Sequence, residues 1–185
     1  GMGVSKAKGF IYSDNFFNKN DSEIFVLTGD GELQEGHFWE SLVSLGNNPT
    51  NRITVIVDHN KIQSDTYVEE VSDLGDLEAK FKAFGWDSIK IDGHNFDAID
   101  SALAHRKKNK KPLAIIADTI KGKGVSFMEH TSMNDNEEYY KYHSGAPNLE
   151  EYKLACNELK KRIEEISHNA GISINPPINV EIEPI

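Results

Sequence analysis

Thirty positions separate two hard-oxygen side chains, Asp30 and Asn60, and each closely follows a short apolar run. Asp30 stands between Gly29 and Gly31, one Thr beyond the run at 23–27 (EIFVL). Asn60 follows the run at 53–57 (ITVIV), after Asp58 and His59. A carboxylate and an amide oxygen suit magnesium, which takes one or two protein carboxylates and completes its shell with substrate phosphates. Glycines flanking the carboxylate let the backbone approach a phosphate closely. Asp30, Asn60 and a diphosphate therefore form a chemically sensible magnesium site. Taken alone, Gly-Asp-Gly reads equally well as a tight turn after a strand.

The two groups can share one edge only if the runs that precede them are strands of one sheet. Both runs are short and apolar and read as buried strands, and the one at 53–57 is β-branched throughout and apolar on both faces. Further strands are expected at 87–91 and 113–117 (LAIIA). Between them lie helical spacings: Phe38, Leu42 and Leu45 in 37–45, Leu77, Phe81 and Phe84 in 77–84, and Phe96, Ile99 and Leu103 in 96–107. A helix is also expected at 4–17, and a long amphipathic one at 150–167 with Tyr152, Ala155, Leu159 and Ile163 inward. Strands alternating with helices give an α/β fold, a parallel sheet with helices on both faces. In such sheets ligands bind at the carboxyl ends of the strands, which puts Asp30 and Asn60 on one edge. The irregular stretch 119–148 is long enough to be functional. The organisation reads as one domain over 1–170 and an extended C-terminal tail over 171–185, which holds three of the six prolines.

Composition narrows the partners. Thirty acidic and twenty basic residues give a net charge of −10, which argues against general binding of nucleic acid or anionic membranes. No apolar run reaches the roughly 20 residues of a membrane span. A single cysteine, Cys156, excludes an internal disulfide and a Cys-rich zinc site and fits a reducing cytoplasm.

The wider text carries a resemblance. The blocks TGDGELQEG at 28–36, Trp39-Glu40, VDHNKIQ at 57–63, DTIKGKGVSFME at 118–129 and Gly145-Ala146-Pro147-Asn148 resemble the diphosphate-binding domain of transketolases. They resemble in particular the N-terminal subunit of split, two-chain transketolases, over about residues 1–167. The resemblance implies thiamine diphosphate held through Mg2+ (or Ca2+), with Asp30 and Asn60 as side-chain ligands and Ile62 as a backbone-carbonyl ligand. Gly29, Gly31 and Glu32 would line the cofactor, with the Gly31 N–H on the diphosphate. Glu35 matches a glutamate of a carboxylate network between the two sites of a dimer, and His143 a histidine near diphosphate and substrate. Ser144 stands between His143 and Gly145, where the family often has His directly before Gly.

Each residue also has a plainer reading. Glu35 and Glu32 sit where acidic residues favour a helix start. His59 at a strand end suits a local hydrogen bond. His94 either faces the cleft or belongs to a helix-start turn capped by Asn95. Lys121 and Lys123 either hold a phosphate or form a solvated basic loop, and the run at 107–111 finishes a helix. Trp39 and Trp86 suit core or interface, Cys156 packing, and His37, His105 and His168 the surface.

The resemblance implies an enzyme component that moves a two-carbon ketol unit between sugar phosphates. It also implies a pyrimidine-domain partner, a separate subunit or the remainder of a longer chain, and a homo- or hetero-oligomer. The family domain starts before the point matched by Gly1, so a fragment is one expectation. A 1-deoxyxylulose-phosphate-synthase-like or 2-oxoacid-dehydrogenase-like subunit is the neighbouring alternative, and an inactive assembly module the alternative of another class.

Overall fold

The computed structural model describes residues 1–19, 22–134 and 139–173, so the expected tail lies outside the described residues from 174 onward. The first half runs α1 (Gly3–Phe16), β1 (Ile24–Gly29), a 3-10 turn (Asp30–Gln34), α2 (Gly36–Asn47), β2 (Ile53–His59), β3 (Ile62–Gln63) and β4 (Thr66–Tyr67). The second half runs α3 (Val68–Ser72), α4 (Leu77–Ala83), β5 (Asp87–Asp92), α5 (Phe96–Arg106), β6 (Leu113–Asp118) and α6 (Leu149–Ala170). The four apolar runs form one sheet in the order β1-β2-β6-β5, every pair parallel. The hairpin β3–β4 and the short α3 had no sequence signal, because two-residue strands carry no period.

Alternation along each strand sorts the core into two layers. Ile53, Val55 and Val57 of β2 face a layer built from Val4, Ala7 and Ile11 of α1, Phe38, Leu42 and Leu45 of α2, and Leu77 and Phe81 of α4. Trp86 and Trp39 belong to this layer, as expected. The Trp86 indole donates to the Leu42 carbonyl at 3.2 Å, and the Trp39 indole to the Leu33 carbonyl at 2.6 Å. Tight crossing here needs glycine: a Cβ on Gly46 would stand 1.9 Å from the Phe84 carbonyl oxygen.

The opposite face is thinner. Ala102 of α5 packs on Leu113 and Ile115 of β6. Toward β1 the sheet stays open, with Phe25 48% and Leu27 74% exposed. Phe96, expected on the inner face of α5, is 86% exposed because it begins the helix beyond the strand ends. The expectation for α6 also needs correction. Ala155 is buried, but Tyr152, Leu159 and Ile163 are 39%, 41% and 40% exposed. The helix rests on the stretch after β6 through polar contacts: the Glu158 carboxylate accepts the Ser126 N–H at 2.7 Å and its hydroxyl at 2.6 Å. Among the described residues its apolar stripe therefore stays largely open rather than packed on the sheet. Asn148 caps its start and Gly171, left-handed at φ +66°, ends it.

The register decides which loops meet. Gly29 pairs with Asp58, and His59 pairs with Asp118. The carboxyl ends of β1, β2 and β6 thus bring 29–31, 58–62 and 118–122 side by side.

Candidate functional site

Asp30 leaves β1 at the first residue of the 3-10 turn and is 2% exposed. One carboxylate oxygen accepts the Gly31 N–H at 2.8 Å and the other the Lys61 N–H at 2.6 Å. Burial raises its pKa, against these two hydrogen bonds and the field of His59, with Asp58 adding to the rise. Among the described residues it forms no ion pair, so the pocket holds a desolvated anion that a cation would stabilise. Each oxygen keeps a lone pair beyond the one its N–H uses.

Asn60 follows β2 and is 9% exposed. Its Oδ1 accepts the Ile62 N–H at 3.0 Å, and its Nδ2 donates to Asp58 at 3.3 Å. Asp58 also accepts the Thr119 hydroxyl. One donor and one acceptor around the amide thus fix which end of it is oxygen. Lys61 is left-handed, φ 70°, and this sharp turn delivers its N–H to Asp30 and the Ile62 N–H to Asn60. Ile62 is buried at 2%. Among the described residues no three His, Cys, Asp or Glu side chains gather as a metal cluster. The set present is instead one carboxylate and one amide, which suits a hard cation that shares its shell with phosphates. Open space beside Gly29, where an added Cβ would meet nothing within 4 Å, leaves room for that approach.

A cleft of 520 Å³ opens beside these groups. Leu27, Ile56 and Ile115 form its apolar wall, and Asp58, Asn60 and Lys121 its polar mouth. Lys121 donates from Nζ to His143 Nδ1 at 3.2 Å and lies 5.5 Å from the centre of the Tyr140 ring. Burial lowers its pKa, while Asp30 and Asp58 oppose that shift. Gly122, at φ +80°, lets the chain turn under Lys121; a Cβ there would stand 2.0 Å from the Met128 carbonyl oxygen.

The remaining expected residues divide. His143, after the long loop, lies 3.2 Å from the Lys121 ammonium but is itself exposed and does not line the cleft. Gly31 points its N–H at Asp30. Glu32 folds back: its Oε2 accepts the Thr28 hydroxyl at 2.7 Å and the Gly29 N–H at 3.2 Å, which is the capping reading. Glu35 starts α2 but makes no side-chain cap. Its carboxylate is 57% exposed and lies 3.0 Å from the Gly1 ammonium, away from the cleft. Lys123 pairs with Glu129 at 3.2 Å, the solvated-loop reading, whereas Lys121 faces the cleft. His59 bonds locally to Asp118 at 3.0 Å. Both readings of His94 hold: Asn95 caps α5, and His94 borders the cleft.

Three contributors were not singled out from sequence. Asp58 could have been found, because it stands near the end of the run at 53–57, two residues before Asn60, where a further hard oxygen joins the same sheet edge. Thr119 and His130 lie in irregular chain, where no period marks direction.

The family model for the transketolase thiamine-diphosphate-binding domain matches residues 2–147. The 6-deoxy-6-sulfo-D-fructose transketolase subunit SqwG of Clostridium sp. (strain MSTE9) is 36% identical over 162 residues, 87% of this chain and 56% of that protein. An apulose-4-phosphate transketolase subunit of Phocaeicola vulgatus is 34% identical over 167 residues, 90% of this chain and 56% of that protein. The crystal structure of the transketolase from Campylobacter jejuni aligns with TM-score 0.63 and 29% identity, covering 98% of this chain and 25% of that one. The chain spans about half the length of the curated subunits it matches.

Proposed function

This chain belongs to the transketolase family of thiamine-diphosphate-binding domains, and from that premise we propose that it is the diphosphate- and magnesium-binding component of a two-part transketolase. The observation that carries the reading is the buried, unpaired Asp30 carboxylate beside Asn60, at the carboxyl ends of adjacent parallel strands. Asp30, Asn60 and the Ile62 carbonyl would hold the cation. Lys121, which lines the cleft, would supply positive charge to the diphosphate; burial lowers its pKa, against Asp30 and Asp58. His143, tethered to Lys121, would be suited to hydrogen-bond the hydroxyls of a substrate sugar. When bound, thiamine diphosphate supplies the carbanion-stabilising chemistry. The protein's own work is to anchor, orient and neutralise charge.

A pyrimidine-domain partner, separate or as the rest of a longer chain, completes the site. Support comes from relatives named as subunits that the chain half covers. Those names also support a sugar or sugar-phosphate substrate. Glu35, exposed and 3.0 Å from the Gly1 ammonium, would serve the carboxylate network between subunits that the family resemblance implies. Among the described residues no helix is long and apolar enough to cross a membrane. A single cysteine supports a cytoplasmic setting.

The test is reconstitution with the pyrimidine-domain subunit encoded by the same organism, with thiamine diphosphate and magnesium. Two-carbon transfer from a ketose phosphate to an aldose, requiring both chains, is the expected result. Turnover of ketose phosphates by this chain alone, or of pyruvate by the pair, would overturn the reading.

A further inference from the structure

Lys121 enters the cleft from irregular chain, yet its backbone is held by histidines from two other places. His94, on the turn between β5 and α5, accepts the Ile120 N–H on Nε2 at 2.8 Å. His130, 7% exposed, accepts the next N–H, that of Lys121, on Nδ1 at 3.1 Å. The His130 backbone N–H also donates to the Lys121 carbonyl at 2.9 Å, so one residue grips both polar groups of Lys121. A third tie, from the Thr119 hydroxyl to Asp58, fixes the residue before them. Three successive residues are thus pinned by side chains from the ends of β2 and β5 and from the following loop. A ring nitrogen that accepts carries no proton, so both rings are neutral and their tautomers are opposite. His94 must hold its proton on Nδ1 and His130 on Nε2. Burial lowers the pKa of His130, in keeping with a neutral ring.

We propose that His94 and His130 are positioning residues, a pair of opposite-tautomer clasps that aim the Lys121 ammonium at the cofactor diphosphate. The inference rests on the reading of the cleft given above. It assigns neither histidine any contact with cofactor or substrate. The clasp explains how a lysine on a loop with no secondary structure of its own can be preorganised, so that binding need not bear the cost of ordering it.

Amide side chains separate this from simple packing. The Oε1 of Gln overlays Nε2 of His, and the Oδ1 of Asn overlays Nδ1. His94→Gln and His130→Asn should therefore keep the backbone hydrogen bond, whereas His94→Asn and His130→Gln should lose it. Magnesium-dependent affinity for thiamine diphosphate should be close to wild type in the first two and weaker by roughly three- to tenfold in the second two, the loss of one hydrogen bond. Nitrogen-15 NMR of the ligand-free chain should find protonated Nδ1 in His94 and protonated Nε2 in His130. His94 is exposed, so its variants keep the test open should the buried His130→Gln fail to fold. A wild-type chain that binds the cofactor, with Asn and Gln equivalent at both positions or with like tautomers, overturns the clasp and leaves the proposed function standing. A wild-type chain with the assigned tautomers that binds no cofactor even with the pyrimidine-domain subunit present overturns the proposed function, and the aiming role with it.

Discussion

Gly122→Ala should damage both stability and cofactor binding, through one contact that can be worked out in advance. The backbone at Gly122 is left-handed, φ +80°, which costs an L-residue about 1–2 kcal/mol. The added Cβ would stand 2.0 Å from the Met128 carbonyl oxygen and 2.8 Å from the Tyr140 hydroxyl, which themselves share a 2.8 Å hydrogen bond. None of these can hold still, so the Tyr140–Met128 bond goes, at about 1 kcal/mol. The total, about 2–3 kcal/mol, lowers the melting temperature by roughly 5–10 °C in a chain of this size. Because Lys121 is the preceding residue and packs on Tyr140, its ammonium moves as well, and affinity for thiamine diphosphate should fall about tenfold or more. Gly124→Ala is the control. Its φ is +115°, but the nearest atoms to a new Cβ are 3.7 Å away, so it carries backbone strain without the clash. Differential scanning fluorimetry and calorimetric titration on the two variants decide the matter. Equal melting temperatures and equal cofactor affinities would refute the reasoning.

Lys121→Met should weaken magnesium-dependent cofactor binding by about tenfold, whereas Lys123→Met, whose ammonium pairs with Glu129, should leave it unchanged in the same titration. Leu42→Ala, in the layer under α2, should cost about 2–5 kcal/mol in urea unfolding. Leu27→Ser, on the open face of the sheet, should cost about 0.5 kcal/mol or less; equal costs would contradict the two-layer core. Asp87 has its pKa lowered: burial works against the shift, but hydrogen bonds from His105, Ser88 and Asn109 overcome it. A lowered folded pKa stabilises above the unfolded value of 3.8, and that stability is lost as pH falls through the folded value. The stability difference between wild type and Asp87→Asn should shrink as pH falls below about 4. A difference that keeps growing below that pH would reverse the sign.

How much of this was legible in the sequence follows from where the physics is periodic. All four strands of the sheet and the five longer helices appear where the expected strands and helical spacings put them. The Asp30–Asn60 pairing was legible because both lie at strand ends, and a parallel sheet brings strand ends together. The burial of α6 was misjudged because amphipathicity shows which face is apolar but not whether anything covers it. The same limit hid the open face around Leu27. Glu32 and Glu35 shared one plain expectation and divide it: the first caps by folding back on Gly29, the second caps nothing. That choice depends on a side-chain rotamer, which spacing does not encode. Lys121 and Lys123 are alike in sequence, and only the turn at Gly122 sends one into the cleft and the other to Glu129. The histidine clasps join residues distant in sequence through single hydrogen bonds, a kind of order that leaves no pattern to read.

The central claim is a cation site built on Asp30 and Asn60 that holds a diphosphate. Calorimetric titration of thiamine diphosphate into the chain, with magnesium and then with EDTA, for wild type and Asp30→Ala, tests it most directly. The expected result is binding by wild type with magnesium only, and none by Asp30→Ala in either buffer while its circular dichroism stays that of a folded domain. Binding that survives EDTA, or an Asp30→Ala variant with wild-type affinity, would contradict it.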